Sequence, residues 1–403
     1  MIKQKKGMAL VGVLLVMLFL GVLMMMAFFS ASAYTTSSIV QESSDSALYC
    51  AQAGVEETLR QLRNGAGLNW LGTVDAGGNP IFQDVNNPAN PAVPAGQFSI
   101  AQVILPGGLI PDGVWFNIPF RITGWAPSLD GQIATRTLEV VVRAMDPATN
   151  IFTANAPLTA GAGATIGGNV FAESFAFATA TAANPITITG DLNYIRNLSR
   201  ANQADVDVQG DINQVANIVF PSINMNNFAS AAPGFNFAGN TSLEGWTFDG
   251  STIPGGIIYV DGDLHISGHV ANQSIAIAAT GDIYITGDIT TDNNDVQLGL
   301  FSDKNVFIAS SVSGDLNVDA FIMAKDGFEA EYDATNPKDT LNFNGAVCVF
   351  GNQVGSTSAI DTSAFTQRNF AYNPQLAANN NIPQMFFFAD LIELAVAGEP
   401  VSQ

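Results

Sequence analysis

The sequence predicts an α+β, mostly β chain: a long N-terminal membrane-spanning helix, a small antiparallel β-sheet, then a parallel β-solenoid. Three observations predict it. Met8 to Phe29 is an apolar run without a charge. Three segments between Phe98 and Ala144 alternate apolar and polar residues with a period of two. Beyond residue 160, Gly-Asp followed by Leu or Ile recurs six times.

At 403 residues the chain is long for a single core and divides into modules. The expected boundaries are 1–7 for a leader, 8–64 for the helix (8–29 in the membrane), 65–155 for the small β domain, 156–350 for the solenoid and 351–403 for a closing segment. Asp plus Glu outnumber Lys plus Arg by 35 to 14. Lys3, Lys5 and Lys6 precede Gly7, so the remainder is more acidic than the net charge of −21 states. Such a surface repels phosphate backbones, and without a basic patch nucleic acid is excluded as a partner. An apolar fraction of 47%, patterned along the chain, argues against disorder. Few charges and many small polar residues suit an exported protein. Cys50 and Cys348 fall in different modules and make no disulfide framework. Two unpaired, half-buried thiols are the expectation, with a mutual bridge as the alternative.

The 22 residues from Met8 to Phe29 would span about 33 Å as a helix, enough for a bilayer core of about 30 Å. The three lysines keep the N-terminus in the cytoplasm and send the rest outward. Three readings compete: a secretory signal cut after Ala31-Ser32-Ala33, a plain single-pass anchor, or a leader cut after Gly7 with the helix retained. The apolar run exceeds the 7–15 residues of a secretory h-region. No proline occurs before Pro80, so one helix can run from Met8 to about Arg63, roughly 84 Å. Leu48, Ala51, Val55, Leu59 and Leu62 form an apolar stripe on one face of its outer half. Arg60 and Arg63 suit the last turn, and Asn64-Gly65 a stop.

Lys6-Gly7-Met8-Ala9-Leu10, the apolar run, and Ala51-Gln52-Ala53-Gly54-Val55-Glu56 together resemble the N-terminus of the type IV pilus assembly PilX family. The resemblance implies cleavage by prepilin peptidase between Gly7 and Met8, and N-methylation of Met8. Major pilins carry Glu at the fifth mature position; here that position is Gly12, which the resemblance reads as a minor or initiating subunit.

Residues 65–96, rich in Gly, Asn and Pro, read as a loop. Strands follow at Phe98–Gln102, at Phe116, Ile118, Phe120 and Ile122, and at Leu138, Val140, Val142 and Ala144. Alternation of this kind marks an antiparallel sheet with one buried face, here laid on the helix stripe. Pro119 marks its strand as an edge.

The recurring pairs are Gly190-Asp191, Gly210-Asp211, Gly262-Asp263, Gly281-Asp282, Gly287-Asp288 and Gly314-Asp315, with Gly168-Asn169 a degenerate copy. Gly takes turn dihedrals and Asp bonds its own backbone nearby, so each pair reads as a turn, repeated once per coil. The apolar residue that follows points inward, and stacked coils bury an Ile/Leu/Val interior. Antiparallel hairpins with Gly-Asp turns are the alternative. The pattern resembles bactofilin-like and PilX-associated solenoid domains. Gly345–Gly351, Phe370-Ala371-Tyr372-Asn373-Pro374-Gln375-Leu376 and Ile382–Phe386 resemble their closing region, with Asn373 where that motif carries Asp.

No catalytic residues, metal ligands or cofactor are expected. His265 and His269 are four apart, but on a strand that separation is about 13 Å, unsuited to a shared metal. Asp292-Asn293-Asn294-Asp295 is oxygen-rich yet lacks the spacing of a calcium loop. A turn role accounts for the repeated aspartates without invoking the carboxylate clusters of solenoid polysaccharide enzymes. The sequence is therefore read as a structural minor subunit or assembly factor of a type IV pilus-like filament or type II secretion pseudopilus, and not an enzyme. Its expected partners are prepilin peptidase, the membrane, other pilin or pseudopilin subunits through the helix, and a surface polysaccharide or protein at the solenoid. It would sit in the inner membrane before assembly and on the cell surface afterwards. The alternatives are a single-pass envelope protein with a polymerising or polysaccharide-binding solenoid, and a secreted β-helix enzyme.

Overall fold

A computed structural model describes residues 5–63, 83–86, 94–102, 110–112, 115–126, 134–145, 147–159, 163–176, 185–199, 206–215, 223–351, 359–376, 382–383 and 388–396, with the backbone alone for 5–16, 83–84, 86, 94–95, 102, 110–112, 115–116, 143–145, 159, 176, 199 and 388–396. Lys5–Arg63 is one unbroken helix of 59 residues, as the absence of proline allows. Its two halves meet different surroundings. From Met17 to Glu42 every residue is exposed, whereas Ala47, Cys50, Ala51, Val55, Leu59 and Leu62 are buried. The expected stop at Asn64-Gly65 lies outside the described residues.

The buried half rests on an antiparallel sheet whose strands lie in the order Gln83–Asn86, Pro94–Gln102, Trp115–Ala126, Ala134–Met145 and Phe388–Val396, with Ile110–Asp112 also paired to Trp115–Ala126. Ile118, Phe120, Ile122, Leu138, Val140 and Val142 pack on Ala51, Val55, Leu59 and Leu62 in one apolar cluster. The period-two residues thus meet the helical stripe. Two expectations need correction. The segment 65–96 contains the strand Gln83–Asn86 and the start of Pro94–Gln102, with Val85 buried beneath Phe98 and Cys50. Pro119 lies in a central strand, not an edge. Pairing with Pro94–Gln102 stops at Phe120, and pairing with Ile110–Asp112 begins at Asn117. Pro119 falls between the two, where its missing N–H removes no ladder bond on that side.

The second sheet is a three-sided solenoid, and every strand pair in it is parallel. This sets aside the hairpin alternative. One side stacks 236–238, 257–261, 275–279, 298–302, 321–324, 346–349, 152–154, 170–172, 192–194 and 212–214. Both of its surfaces are buried from 257–261 through 170–172, while the end strands 236–238 and 212–214 are largely exposed. The inner one belongs to the main core, and the outer one lies under Phe228, Leu376 and Ile382. Hence its strands read as continuous apolar runs such as Ile275-Ala276-Ile277-Ala278-Ala279. A second side stacks 241–243, 264–266, 283–285, 306–308 and 328–330, one surface open, and its strands alternate: Leu264 and Ile266 are buried, His265 is not. The third side runs through 268–270, 289–291, 341–345, 369–371, 165–167 and 186–188.

Chain order and spatial order differ. The first coil, from Phe152, stacks on the last, with Val347 beside Phe152 and Asn369 beside Thr165. Coils then proceed outward to Ile212–Gln214. The chain crosses by the short helix Met225–Ala231, which packs Phe228 against Phe301 at 4.7 Å, and resumes at the opposite end at Asn236–Ala238. From there it coils back to the middle. The solenoid therefore extends from Phe152 to Tyr372, past the expected limit at 350. The segment 351–403 divides: Ile360–Asp361 and Phe365–Tyr372 belong to the solenoid, and Phe388–Val396 pairs antiparallel with Ala134–Met145 in the first sheet. The solenoid is an insertion between two neighbouring strands of that sheet.

Candidate functional surfaces

The helix presents two surfaces of different chemistry. Toward the sheet, small residues permit a close approach. A Cβ on Gly54 would meet Ile122 at 2.6 Å, one on Gly96 would meet the Cys50 sulfur at 2.6 Å, and one on Gly124 would run into the helix backbone at Ala47 and Ala51. Burial under this contact pushes the Cys50 thiol up to about 11, so it stays protonated and behaves as a small apolar group. Neither Cys50 nor Cys348 forms a disulfide, and both are fully buried, not half-buried. Away from the sheet, Met17 through Phe29 expose large apolar side chains, with Met24 and Phe28 more than 70% accessible. One such helix is long and apolar enough to cross a membrane. Gly7 and Met8 lie in the first turns of the helix, where only the backbone is described; Met1–Gln4 lie outside.

The Gly-Asp pairs occupy solenoid corners, but not in the manner expected. They are not once per coil at one corner. Gly190-Asp191 and Gly210-Asp211 precede the covered side, Gly262-Asp263 and Gly281-Asp282 precede the open second side, and Gly287-Asp288 lies within the strand Ile283–Thr291 on the same coil as Gly281-Asp282. Gly314-Asp315 opens the strand Gly314–Ala324. The carboxylates of Asp191, Asp263, Asp282, Asp288 and Asp315 reach the next coil rather than their own turn. Asp191 Oδ1 accepts the N–H of Asp211 at 2.9 Å, and Asp263 Oδ1 that of Asp282 at 2.9 Å. Asp282 accepts from Asn305, Asp288 from Asn317 and Asp315 from Thr340. At Gly190, Gly210, Gly262 and Gly281 the neighbouring coil passes where a Cβ would sit; at Gly190 that atom would be 2.5 Å from Asn169 Oδ1, whereas Gly314 has open space and instead takes a φ of 71°. Asn169 and Asn240 begin these ladders, their side-chain oxygens accepting the N–H groups of Asp191 and Asp263. Gly239-Asn240 escaped the Gly-Asp pattern; a search for Gly followed by either Asp or Asn finds it.

The histidines serve neighbouring coils separately. His265, Tyr284 and Phe307 occupy one register position, their rings stacked at 4.8 and 5.4 Å. That is the interstrand distance of a parallel sheet, so the rings turn edges rather than faces outward. His269 bridges Thr290 Oγ1 through Nδ1 at 3.0 Å and Asp292 Oδ1 through Nε2 at 2.8 Å. The N–H of Asn272 also binds Asp292 and, with His269, holds its carboxyl below the usual range. This hydroxyl–imidazole–carboxylate chain stitches two coils on an open strand face. In the loop 292–295, Asn293 Oδ1 accepts from Asp295 and Val296, closing its own turn. Among the described residues no group of three or more His, Cys, Asp or Glu converges on one point.

No family model matches the chain, and no curated protein matches it. Among solved structures, the competence-associated pilin ComZ from Thermus thermophilus aligns over 88% of this chain and 97% of its own, at 10% identity and a TM-score of 0.29. Ice-binding proteins from Antarctomyces psychrotrophicus and Shewanella frigidimarina align over 56% of this chain and 96% and 95% of theirs, at 11% identity and TM-scores of 0.24 and 0.25. Superpositions this loose carry no argument about function.

Proposed function

We propose that the chain is a structural minor subunit or assembly factor of a type IV pilus-like filament or pseudopilus, released from its leader by prepilin peptidase between Gly7 and Met8, and not an enzyme. The observation that carries this reading is the division of the one continuous helix Lys5–Arg63 into an exposed apolar half and a half sealed onto the sheet. An apolar helix half of this length is soluble only in lipid or against other such helices, so membrane storage and helical assembly are its two compatible states. Gly12 in place of an acidic residue removes the charge partner for a neighbouring amine and favours a minor role. The solenoid, carried as an insertion on the outer sheet, would be displayed on the cell surface for contact with a polysaccharide or protein.

The test is the N-terminal mass of the protein recovered from membrane and sheared-surface fractions. A start at methylated Met8 supports the reading, and substitution of Gly7 should then leave the leader uncut. A start at Tyr34 would favour a secreted solenoid, and an intact Met1 a simple membrane anchor.

A further inference from the structure

Gln297 ends the loop 292–297 and is only 3% exposed, yet among the described residues neither its amide nitrogen nor its amide oxygen has a hydrogen-bond partner. Its backbone is well held: the N–H donates to Ser274 Oγ at 2.9 Å, and the carbonyl accepts from Ile275. The side chain faces a recess shared by Thr291, Asp319, Asn344, Asn373 and Leu376. Four stretches of chain meet there: the loop, two successive solenoid strands, and the strap after Tyr372 that leads out of the solenoid. The strap is fastened at one point already, where Asn373 Nδ2 donates to the carbonyl of Asn294 at 3.2 Å, while Asn373 Oδ1 accepts from Gln375.

A buried amide with both ends orphaned costs about 1–3 kcal/mol at each end unless something mobile satisfies it. The occupant must accept from Nε2 and donate to Oε1. A cation satisfies the oxygen and is repelled by the N–H groups; water does both. Asp319 offers the complementary acceptor. Its Oδ2 takes the N–H of Thr291 and its Oδ1 the amide of Asn344, both at 3.3 Å, leaving a lone pair on each oxygen for a water proton. The recess opens to solvent at its mouth; its interior is far smaller than a small-molecule site and has room for about one water.

We propose that this recess is a hydration site, in which ordered water bridges Gln297 to Asp319 and seats the strap Asn373–Leu376 on the solenoid corner. The bridge completes the joint between the solenoid and the segment that returns to the first sheet. The test uses the full-length protein in detergent. Gln297→Met, close in length and volume but unable to bond water, should lower Tm by about 2–4 °C and speed deuterium uptake across 373–376. Adding calcium chloride or EDTA should shift neither. A Gln297→Met protein at least as stable as the parent would overturn the proposal, because removing a truly orphaned amide relieves its burial cost. A calcium-dependent rise in Tm would overturn it in favour of a cation. A high-resolution structure of the parent gives the answer independently of any variant: water within about 3.2 Å of the Gln297 amide is expected, and a dry recess refutes the site.

Discussion

The carboxylate of Asp263 accepts the backbone N–H of Asp282, one coil onward, at 2.9 Å, and Asp282 repeats the contact with Asn305 at 3.0 Å. A bond of this kind ties coils directly rather than shaping one turn. Asp263→Ala should therefore destabilise the solenoid by about 1–2 kcal/mol, since an ionised acceptor is lost. Asp263→Asn keeps an oxygen in place and should cost less. Gly281→Ala should cost more than either, because the new methyl would fall on Asp263 itself. Thermal melts should place Asp263→Asn highest, Asp263→Ala below it and Gly281→Ala lowest; a mild Gly281→Ala would show that the corner has room to open.

Gly124 faces the helix where Ala47 and Ala51 cross the sheet, and a Cβ there would collide with backbone, which cannot swing aside as a side chain can. Gly124→Ala should lift the helix off the sheet, at about 1–3 kcal/mol or more. Leu59→Ala, a cavity in the same cluster, should lose about 2–5 kcal/mol. Limited proteolysis near residues 44–62 reads both, and resistance equal to the parent would refute the close-approach argument.

The local elements were legible because their periods were clean: the stripe from Leu48 to Leu62 and the alternation Ile283-Tyr284-Ile285 each state which residues face a core. Two kinds of fact were not legible. Identical dipeptides sit at different corners, Asp191 before the covered side and Asp263 before the open one, since the turn chemistry is the same at either. The stacking of Phe152 on Val347 and the return of Phe388–Val396 to the first sheet are non-local pairings. No local period encodes them, because any apolar strand fits any parallel neighbour about as well. The Gln297 recess was invisible for a similar reason, being assembled from four distant segments.

The strand Phe388–Val396 covers an edge of Ala134–Met145. Ending the chain at Leu376 should expose that edge, destabilise the helix–sheet module and promote association, while leaving coil-to-coil contacts intact. Hydrogen exchange should then show lost protection in 134–145 but retained protection in 264–308. Equal loss in both would mean that the inserted solenoid and its host sheet fold as one unit.

Glu329 lies beside Asp361 in the parallel register, and burial, reinforced by that carboxylate, raises its pKa above the usual 4.5. Between 4.5 and the raised value the folded chain binds more protons at this site than the unfolded chain does. Its contribution is thus fully present at acid pH and is lost as pH rises through that window. Glu329→Gln removes the ionisation while keeping the shape. The variant should melt at or below the parent's temperature under pH 4.5 and above it near neutrality, with the gap opening as pH rises. Parallel melting curves at every pH would show that Glu329 titrates alike in both states, and that Asp361 exerts no pressure on it.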